Sequence, residues 1–271
     1  MSAAQLIILS TSPNGRVAHR LCDIAKSTGI SVEIQSLDDA KTLLQRPLAG
    51  AVVLPRIAPA HNQQAVKLLF DLQKRGARII NAPDSWELSR DKWKSYSAFS
   101  EYGVPTPKTL LYPELAYDGY VYVLGSPFIF KPISGTHGEG IKIIWREEDL
   151  PAESGIMQEY IEESAGTDMR VVVVGDKVIA AMRRIAQAGE FRANLHQGAT
   201  AEAIESSDII NNTAVSASRS LGLDVAGVDI VMSANGPLVL EANPSPGLGI
   251  EAYTGVSVAS AIIEAARPAT S

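Results

Sequence analysis

Apolar positions in the first 80 residues switch repeatedly between two periods. Residues 6–9 form a continuous apolar run that reads as a first strand, followed at 16–27 by helical spacing through Val17, Leu21 and Ile24. Residues 31–34 and 51–54 are two further short strands. Residues 64–74 return to the helical period with Val66, Leu69, Phe70 and Leu72, and 78–80 closes the series before Asn81-Ala82-Pro83. Strands alternating with helices predict a small parallel sheet covered by helices. The first turn, Thr11-Ser12-Pro13-Asn14-Gly15, has one glycine and no G-x-G-x-x-G. A dinucleotide-binding reading therefore lacks its phosphate motif, and this unit reads as a scaffold and a substrate wall.

A helical stretch over 85–101 ends at Gly103. Val104-Pro105-Thr106-Pro107 then reads as a rigid linker, because each proline biases the residue before it to extended backbone. From Pro127 the pattern becomes short strands at 128–131, 141–145, 156–161, 169–174 and 178–184, most of them separated by turns such as Gly175-Asp176-Lys177. Helical spacing returns at 206–221 and 256–266. The second half is thus expected to be α+β on antiparallel strands.

The apolar, β-branched segments 225–232 and 237–242 flank Ala234-Asn235-Gly236, which carries an Asn-Gly turn signal and predicts a β-hairpin. Folding about Asn235 sets Asp229 opposite Glu241, each six residues from the turn, and Asn243 shares their strand face. Like charges directly opposed on a hairpin are destabilising, so the arrangement calls for a cation between them. Three oxygen donors without His or Cys favour magnesium or manganese over zinc.

Composition narrows the classes. The 271 residues are 46% hydrophobic and 20% charged, ordinary for a soluble protein of one to three subdomains. Net charge is −6, from 24 basic and 30 acidic residues, which argues against non-specific nucleic-acid binding. Cys22 is the single cysteine, so there is no intramolecular disulfide and a reducing cytoplasm is the expected compartment. The opening residues lack the basic region of a signal peptide, and no apolar run approaches transmembrane length. No membrane partner is expected.

Candidate chemistry gathers in the second half. Residues 128–132 deliver Lys131 from an apolar strand into Ser134-Gly135-Thr136-His137-Gly138-Glu139-Gly140. Backbone amides of such a loop can cradle phosphate, with the ammonium as counter-charge. It leads into a strand and is not a Walker A loop. With a magnesium site downstream it points to a nucleoside triphosphate. Residues 158–163 end an apolar strand in acids, offering backbone groups to adenine and a carboxylate to ribose. Arg170, Arg183, Arg184 and Arg192 recur with Asn194 and His196, and Asp168 shares a face with Arg170. Guanidiniums beside a carboxylate-lined metal site suit anionic substrates and phosphoryl transfer. Arg90-Asp91-Lys92, taken alone, is a surface charge cluster.

Together these segments resemble a family. Asn81-Ala82, Ser89-Arg90-Asp91-Lys92, the Lys131 strand, Gly135-Thr136-His137-Gly138, Gln158-Glu159-Tyr160-Ile161, Gly166-Thr167-Asp168-Met169-Arg170, Gly189-Glu190-Phe191-Arg192-Ala193-Asn194-Leu195-His196, Asp224-Val225-Ala226-Gly227-Val228-Asp229 and Glu241-Ala242-Asn243-Pro244-Ser245-Pro246-Gly247-Leu248 occur in the order of ATP-grasp ligases. They look most like the RimK group of α-L-glutamate ligases, over about residues 53–255.

The resemblance implies an ATP-grasp fold of class α/β plus α+β. Residues 1–82 would be a parallel α/β domain, and 83–161 and 162–271 two α+β subdomains that clasp ATP. It implies that Lys92, Lys131, Gly135 and Thr136 hold phosphates, that Glu159, Tyr160 and Ile161 meet adenine, and that Asp168 contacts ribose. Arg192, Ala193 and Asn194 would line the nucleotide and acyl-phosphate side. Arg170 would face the carboxylate or its phosphate, making Arg170, Arg192 and Lys131 the catalytic set. Asp229, Glu241 and Asn243 would ligate magnesium or manganese. His137 stands where many relatives have Gln, Glu139 adds an acid to the phosphate loop, and the chain is trimmed before Pro127 and between Lys131 and Gln158. Those departures leave the ATP chemistry intact and the acceptor open.

The expected activity is an ADP-forming carboxylate–amine ligation through an acyl phosphate, adding glutamate to a peptide or protein carboxylate. The alternatives are a small-molecule or carrier-linked acceptor and, in a different class, a non-catalytic ATP-binding module. Self-association into a homo-oligomer stays open.

Overall fold

The computed structural model describes residues 5–135, 138–187, 189–191, 193 and 198–269. Strands β1 (Leu6–Ser10), β2 (Val32–Ser36), β3 (Val52–Arg56) and β4 (Arg78–Ile79) form one parallel sheet in the order β2-β1-β3-β4. β1 is buried along its whole length, as a central parallel strand covered on both faces must be. Its alternation divides two cores. Leu6 and Ile8 pack with α1 (Arg16–Ser27), whereas Ile7 and Leu9 pack with α2 (Asn62–Lys74).

The helical stretch expected over 85–101 is two helices, α3 (Pro83–Arg90) and α4 (Lys92–Glu101). Asp91 leaves the helical region at φ −102°, ψ 113°, and its carboxylate accepts from the Lys94 backbone at 3.0 Å, capping α4. An unbroken helix would carry Arg90 and Lys92 about 200° apart around its axis. The break lets both line the same cavity.

Residues 108–126, to which the pattern assigned no element, hold β5 (Thr109–Tyr112) and α5 (Tyr117–Leu124). The aromatic, β-branched α5 is a poor intrinsic helix, but tertiary bonds decide it. The fully buried Tyr120 hydroxyl donates to Leu111 O at 2.7 Å and accepts from the Glu114 and Leu115 amides. With β6 (Phe128–Pro132), β7 (Lys142–Ile144) and β8 (Gly155–Glu159), β5 forms an antiparallel sheet ordered β5-β8-β6-β7.

A second antiparallel sheet contains β9 (Thr167–Val174), β10 (Lys177–Ile185), β11 (Thr200–Ala203), β12 (Val225–Ser233) and β13 (Gly236–Asn243), ordered β11-β10-β9-β12-β13. Helix α6 (Asp208–Ser220) packs its Ala214 and Ala217 against Val171 and Val173 of β9. Val172 and Val174 point the other way, into the core shared with β1, α1 and α8 (Val258–Ala265). The short α7 (Glu251–Thr254) precedes α8. Among the described residues no helix is long and apolar enough to cross a membrane.

One fully buried amide ties the first sheet to the last. Asn81 donates to Val225 O and Pro244 O, both at 2.7 Å, and accepts from the Val225 amide at 2.8 Å. Both ends of the β12–β13 hairpin are thereby fastened to the N-terminal unit.

Candidate functional site

The three sheets meet around a cavity of about 920 Å³, within the size range of small-molecule sites. Lys92, Lys131, Gly135, Glu159, Tyr160, Ile161, Asp168, Arg170, Ala193, Asp229, Glu241 and Asn243 all line it. The expected nucleotide and metal residues that fall among the described residues are brought to one space, whereas Arg183 faces the outer surface and pairs with Glu202. Thr136, Arg192 and Asn194, with His137 and His196, lie outside the described residues.

The hairpin places its carboxylates by a route the pattern did not anticipate. Asp229 does pair with Glu241, but the tip closes between Ser233 and Gly236 around Ala234-Asn235, and Ile230 pairs with Val239. Continued without interruption, that register would oppose Asp229 to Leu240. A β-bulge at Leu240 adds one residue to β13, so Leu240 and Glu241 both reach the cavity while Val239 and Ala242 stay in the core. Gly236 sits at φ +118°, a conformation that favours glycine.

The opposed carboxylates called for a cation, and beside Asp229 the protein supplies two. Arg170 on the neighbouring β9 takes both Asp229 oxygens, through Nε to Oδ1 and through Nη2 to Oδ2 at 2.8 Å. Arg184 on β10 reaches Asp229 Oδ2 at 3.1 Å and holds Asp168 bidentately at 2.6 and 2.7 Å. Asp229 is 6% exposed and Arg184 8%, with Asp168 and Arg170 half-buried, so the four form a line, Arg170–Asp229–Arg184–Asp168, of two acids and two bases. Burial pushes the Asp229 carboxyl up, but the two guanidiniums outweigh it and hold it below the ordinary value. Burial pushes Asp168 up to about 6, against the Arg184 hydrogen bond, with the Asp229 charge adding to the rise. A cationic wall of Arg170 and Arg184 awaiting an anionic substrate is therefore not what the structure contains. Their charge is already met inside the floor.

The other side of the hairpin is open. Glu241 has one side-chain hydrogen bond, from Asn243 Nδ2 at 2.8 Å. The donor set is all oxygen: the Glu241 carboxylate, the Asn243 amide oxygen, and the lone pairs of Asp229 beyond those its arginines occupy, since a carboxylate accepts at about four positions. Among the described residues no three His, Cys, Asp or Glu side chains gather as a metal cluster. The third donor here is an amide. That set fits a hard divalent cation.

Two lysines face the same space. Lys131 Nζ donates to Gln158 Oε1 at 2.6 Å, and Gln158 is anchored in turn on Thr109 Oγ1 at 2.9 Å. Burial lowers Lys131 to about 8, with Glu241 opposing the shift. Lys92 Nζ donates to Gly135 O at 3.0 Å across the loop, and burial lowers its pKa too. Gly135, Gly138 and Gly140 adopt positive φ in that loop, and a Cβ on Gly140 would sit 2.7 Å from Pro132 Cγ. Glu139 is exposed at the cavity edge. The β8 strand stops at Glu159, so Tyr160 and Ile161 carry backbone out of the ladder along the cavity wall.

Three lining arginines escaped the sequence reading: the exposed Arg16 at the start of α1, Arg56 and Arg90. Arg56 ends β3, and Arg90, read there as surface charge, ends α3. Nothing in an isolated strand end marks Arg56; only the packing of the first sheet against the hairpin brings it in.

The geometry is that of an ATP-grasp enzyme, and known structures agree on the fold. The ATP-grasp ligase PsnB complexed with minimal precursor superposes with a TM-score of 0.75 at 20% identity, over 98% of both chains. The D-alanine–D-alanine ligase of Bacillus anthracis complexed with ATP gives 0.75 at 14% identity, over 99% of this chain and 97% of the other. The sequence profile of the RimK-like ATP-grasp domain matches residues 89–266, and a probable alpha-L-glutamate ligase of Aeromonas salmonicida (strain A449) is 38% identical over 288 residues, 96% of this chain and 95% of its own length. The chain belongs to the RimK-like ATP-grasp family and is an ATP-dependent ligase.

Proposed function

We propose that the protein joins glutamate through its amine to a carboxylate, more readily on a peptide or protein than on a free small acid, with ATP as the energy source. The observation carrying this reading is the single cavity that unites Lys92, Lys131 and the glycine loop with Asp229, Glu241 and Asn243. Glutamate follows from the relative's name. A macromolecular acceptor follows from the trimming read in the sequence before Pro127 and between Lys131 and Gln158, and from a net charge of −6, which favours a neutral or basic partner.

In this reading a carboxylate oxygen attacks the γ-phosphorus of ATP, ADP leaves, and an acyl phosphate results. The glutamate amine then attacks the acyl carbon, loses a proton and expels phosphate. A free carboxylate cannot acylate an amine at neutral pH because its leaving group would be oxide; phosphorylation replaces that group with phosphate. No side chain acts as a covalent nucleophile, so the residues act by position and charge. Lys92 and Lys131 hold phosphate oxygens, the backbone at Tyr160 and Ile161 takes the adenine edge, and Asp168 takes ribose. Arg170 orients Asp229, and Arg192 would meet the acyl phosphate, as the family resemblance implies. Asp229, Glu241 and Asn243 would hold magnesium, or manganese, which would neutralise phosphate charge.

Mass spectrometry of candidate acceptors incubated with ATP, magnesium and all twenty amino acids tests the reading. A glutamyl mass gain on a peptide or protein is expected. A gain of another residue overturns the amine, and product from small acids alone overturns the macromolecular acceptor.

A further inference from the structure

Arg56 and Arg90 stand apart from the other lining arginines, Arg170 and Arg184 on the floor and the exposed Arg16. Arg170 and Arg184 are neutralised by Asp229 and Asp168, whereas neither Arg56 nor Arg90 has a carboxylate within ion-pair distance among the described residues. The Nε of each is buried without a hydrogen-bond partner. Leaving such a donor unsatisfied costs about 1–3 kcal/mol, more when it is charged, and native proteins rarely tolerate it without a use. The two side chains also feel each other. Burial, and then the charge of Arg90, lower Arg56 to about 10, and burial lowers Arg90 against the charge of Glu241, which is not within ion-pair distance.

Each guanidinium is nevertheless held in place. Arg56 Nη2 donates to the carbonyl of Pro246, in the loop that follows Asn243. The Arg90 guanidinium lies 5.2 Å from the Trp86 ring centroid, and Trp86 is itself fully buried, with its indole N–H on Asn62 Oδ1 at 2.6 Å. Two fixed planar cations, from different elements and facing one cavity, are short of one anion.

We propose that Arg56 and Arg90 form a carboxylate-binding subsite at the N-terminal wall, which holds the carboxylate of the substrate that is not phosphorylated. A carboxylate matches the fork of a guanidinium and supplies the negative charge that the two lack. Phosphate is the weaker candidate, because Lys92, Lys131 and the glycine loop already provide a phosphate surface in the same cavity, with Lys92 beside Arg90. The subsite rests on the ligase reading above for its ligand, and two carboxylates of glutamate could fill it: the α-carboxylate or the side-chain carboxylate.

The experiment is calorimetry on the magnesium–ADP complex of the full chain, titrated with L-glutamate, glutamine and isoglutamine. The wild-type protein is expected to bind L-glutamate, and Arg56→Met and Arg90→Met to bind it at least tenfold more weakly, with ADP affinity within twofold of wild type. Loss of binding with glutamine assigns the side-chain carboxylate to the subsite, and loss with isoglutamine assigns the α-carboxylate. The melting temperature of unliganded Arg90→Met should equal or exceed that of wild type, since an unpaired buried charge is removed; a purely structural Arg90 would lower it. Arg56→Lys and Arg90→Lys keep the charge and should recover part of the glutamate affinity. Unchanged glutamate affinity in both Met variants, no binding of glutamate to wild type, or a tenfold loss of ADP affinity each overturns the subsite. Glutamate binding that depends on the arginines without any amide product would sink the ligase specificity and leave the subsite standing. Product formation at an unchanged KM for glutamate in both Met variants does the reverse.

Discussion

The floor and the N-terminal wall of the cavity use the same residue type on opposite electrostatic terms. On the floor, Arg170 and Arg184 alternate with Asp229 and Asp168 in one line of ion pairs, strand beside strand, and little positive charge is left for a ligand. On the wall, Arg56 and Arg90 are held by a carbonyl and an indole, neither of which carries a negative charge. Glu241 repeats the contrast across one hairpin: its partner Asp229 is clamped by two guanidiniums, whereas Glu241 meets one amide. Counting arginines near a site therefore says little about where an anion can bind. What counts is which of them lack a carboxylate.

The strongest way to break this comparison is to open the floor. Asp229→Ala leaves Arg170 without a carboxylate and Arg184 with Asp168 alone, and should cost about 3–5 kcal/mol of stability, read as a lower urea midpoint, together with loss of ADP release. An unchanged midpoint would show that the Arg170–Asp229 pair does not hold in solution.

Glu241→Ala should behave oppositely. It removes a metal donor but no ion pair, so turnover should fall by about 10²–10³, the scale of one lost electrostatic contact in a transition state, while the urea midpoint holds. Lys131→Ala is expected to lose turnover comparably, and Lys131→Arg to recover only part of it, because a planar fork does not replace a point charge. Wild-type ADP release from Glu241→Ala would remove that residue from the metal site.

A smaller, pH-dependent effect follows from Lys131. Its folded pKa, about 8, lies below the ordinary 10.5. Between those values the unfolded chain binds more protons, so the stability of the unliganded protein should rise as pH climbs from 8 towards 10.5. ATP affinity should fall over the same climb, as the ammonium is lost. Lys131→Met should flatten both slopes in denaturation and calorimetry; unflattened slopes would assign them to another group.

The smallest effect sharpens the contrast within one strand. Arg183 adjoins Arg184 but faces outward, pairing with Glu202 at 3.1 Å on the surface. Arg183→Ala should cost only about 0.2–1 kcal/mol, with turnover unchanged. A large loss of turnover would mean that the two faces of β10 are not separate.

Much of the site was legible locally. Period-2 alternation brought Asp168 and Arg170 to one face, and hairpin counting paired Asp229 with Glu241, although the turn lies one position earlier and the Leu240 bulge makes up the difference. A bulge leaves no mark in a pattern of apolar residues, so the correct pair emerged from two offsets that cancel. The Asp91 break and the Tyr120-braced α5 were invisible for a related reason: each is decided by a hydrogen bond to a particular partner and not by period.

Sequence alone settled what depends on period and residue type: the order of strands and helices in most of the chain, the parallel first sheet and the antiparallel second half. The tertiary structure decided what depends on distances between segments far apart in the chain. It alone tied the hairpin to the first sheet through Asn81, spent Arg170 and Arg184 on carboxylates of neighbouring strands, and brought Arg56 and Arg90 to one wall. Charge compensation is a property of pairs in space, and the linear chain does not state those pairs.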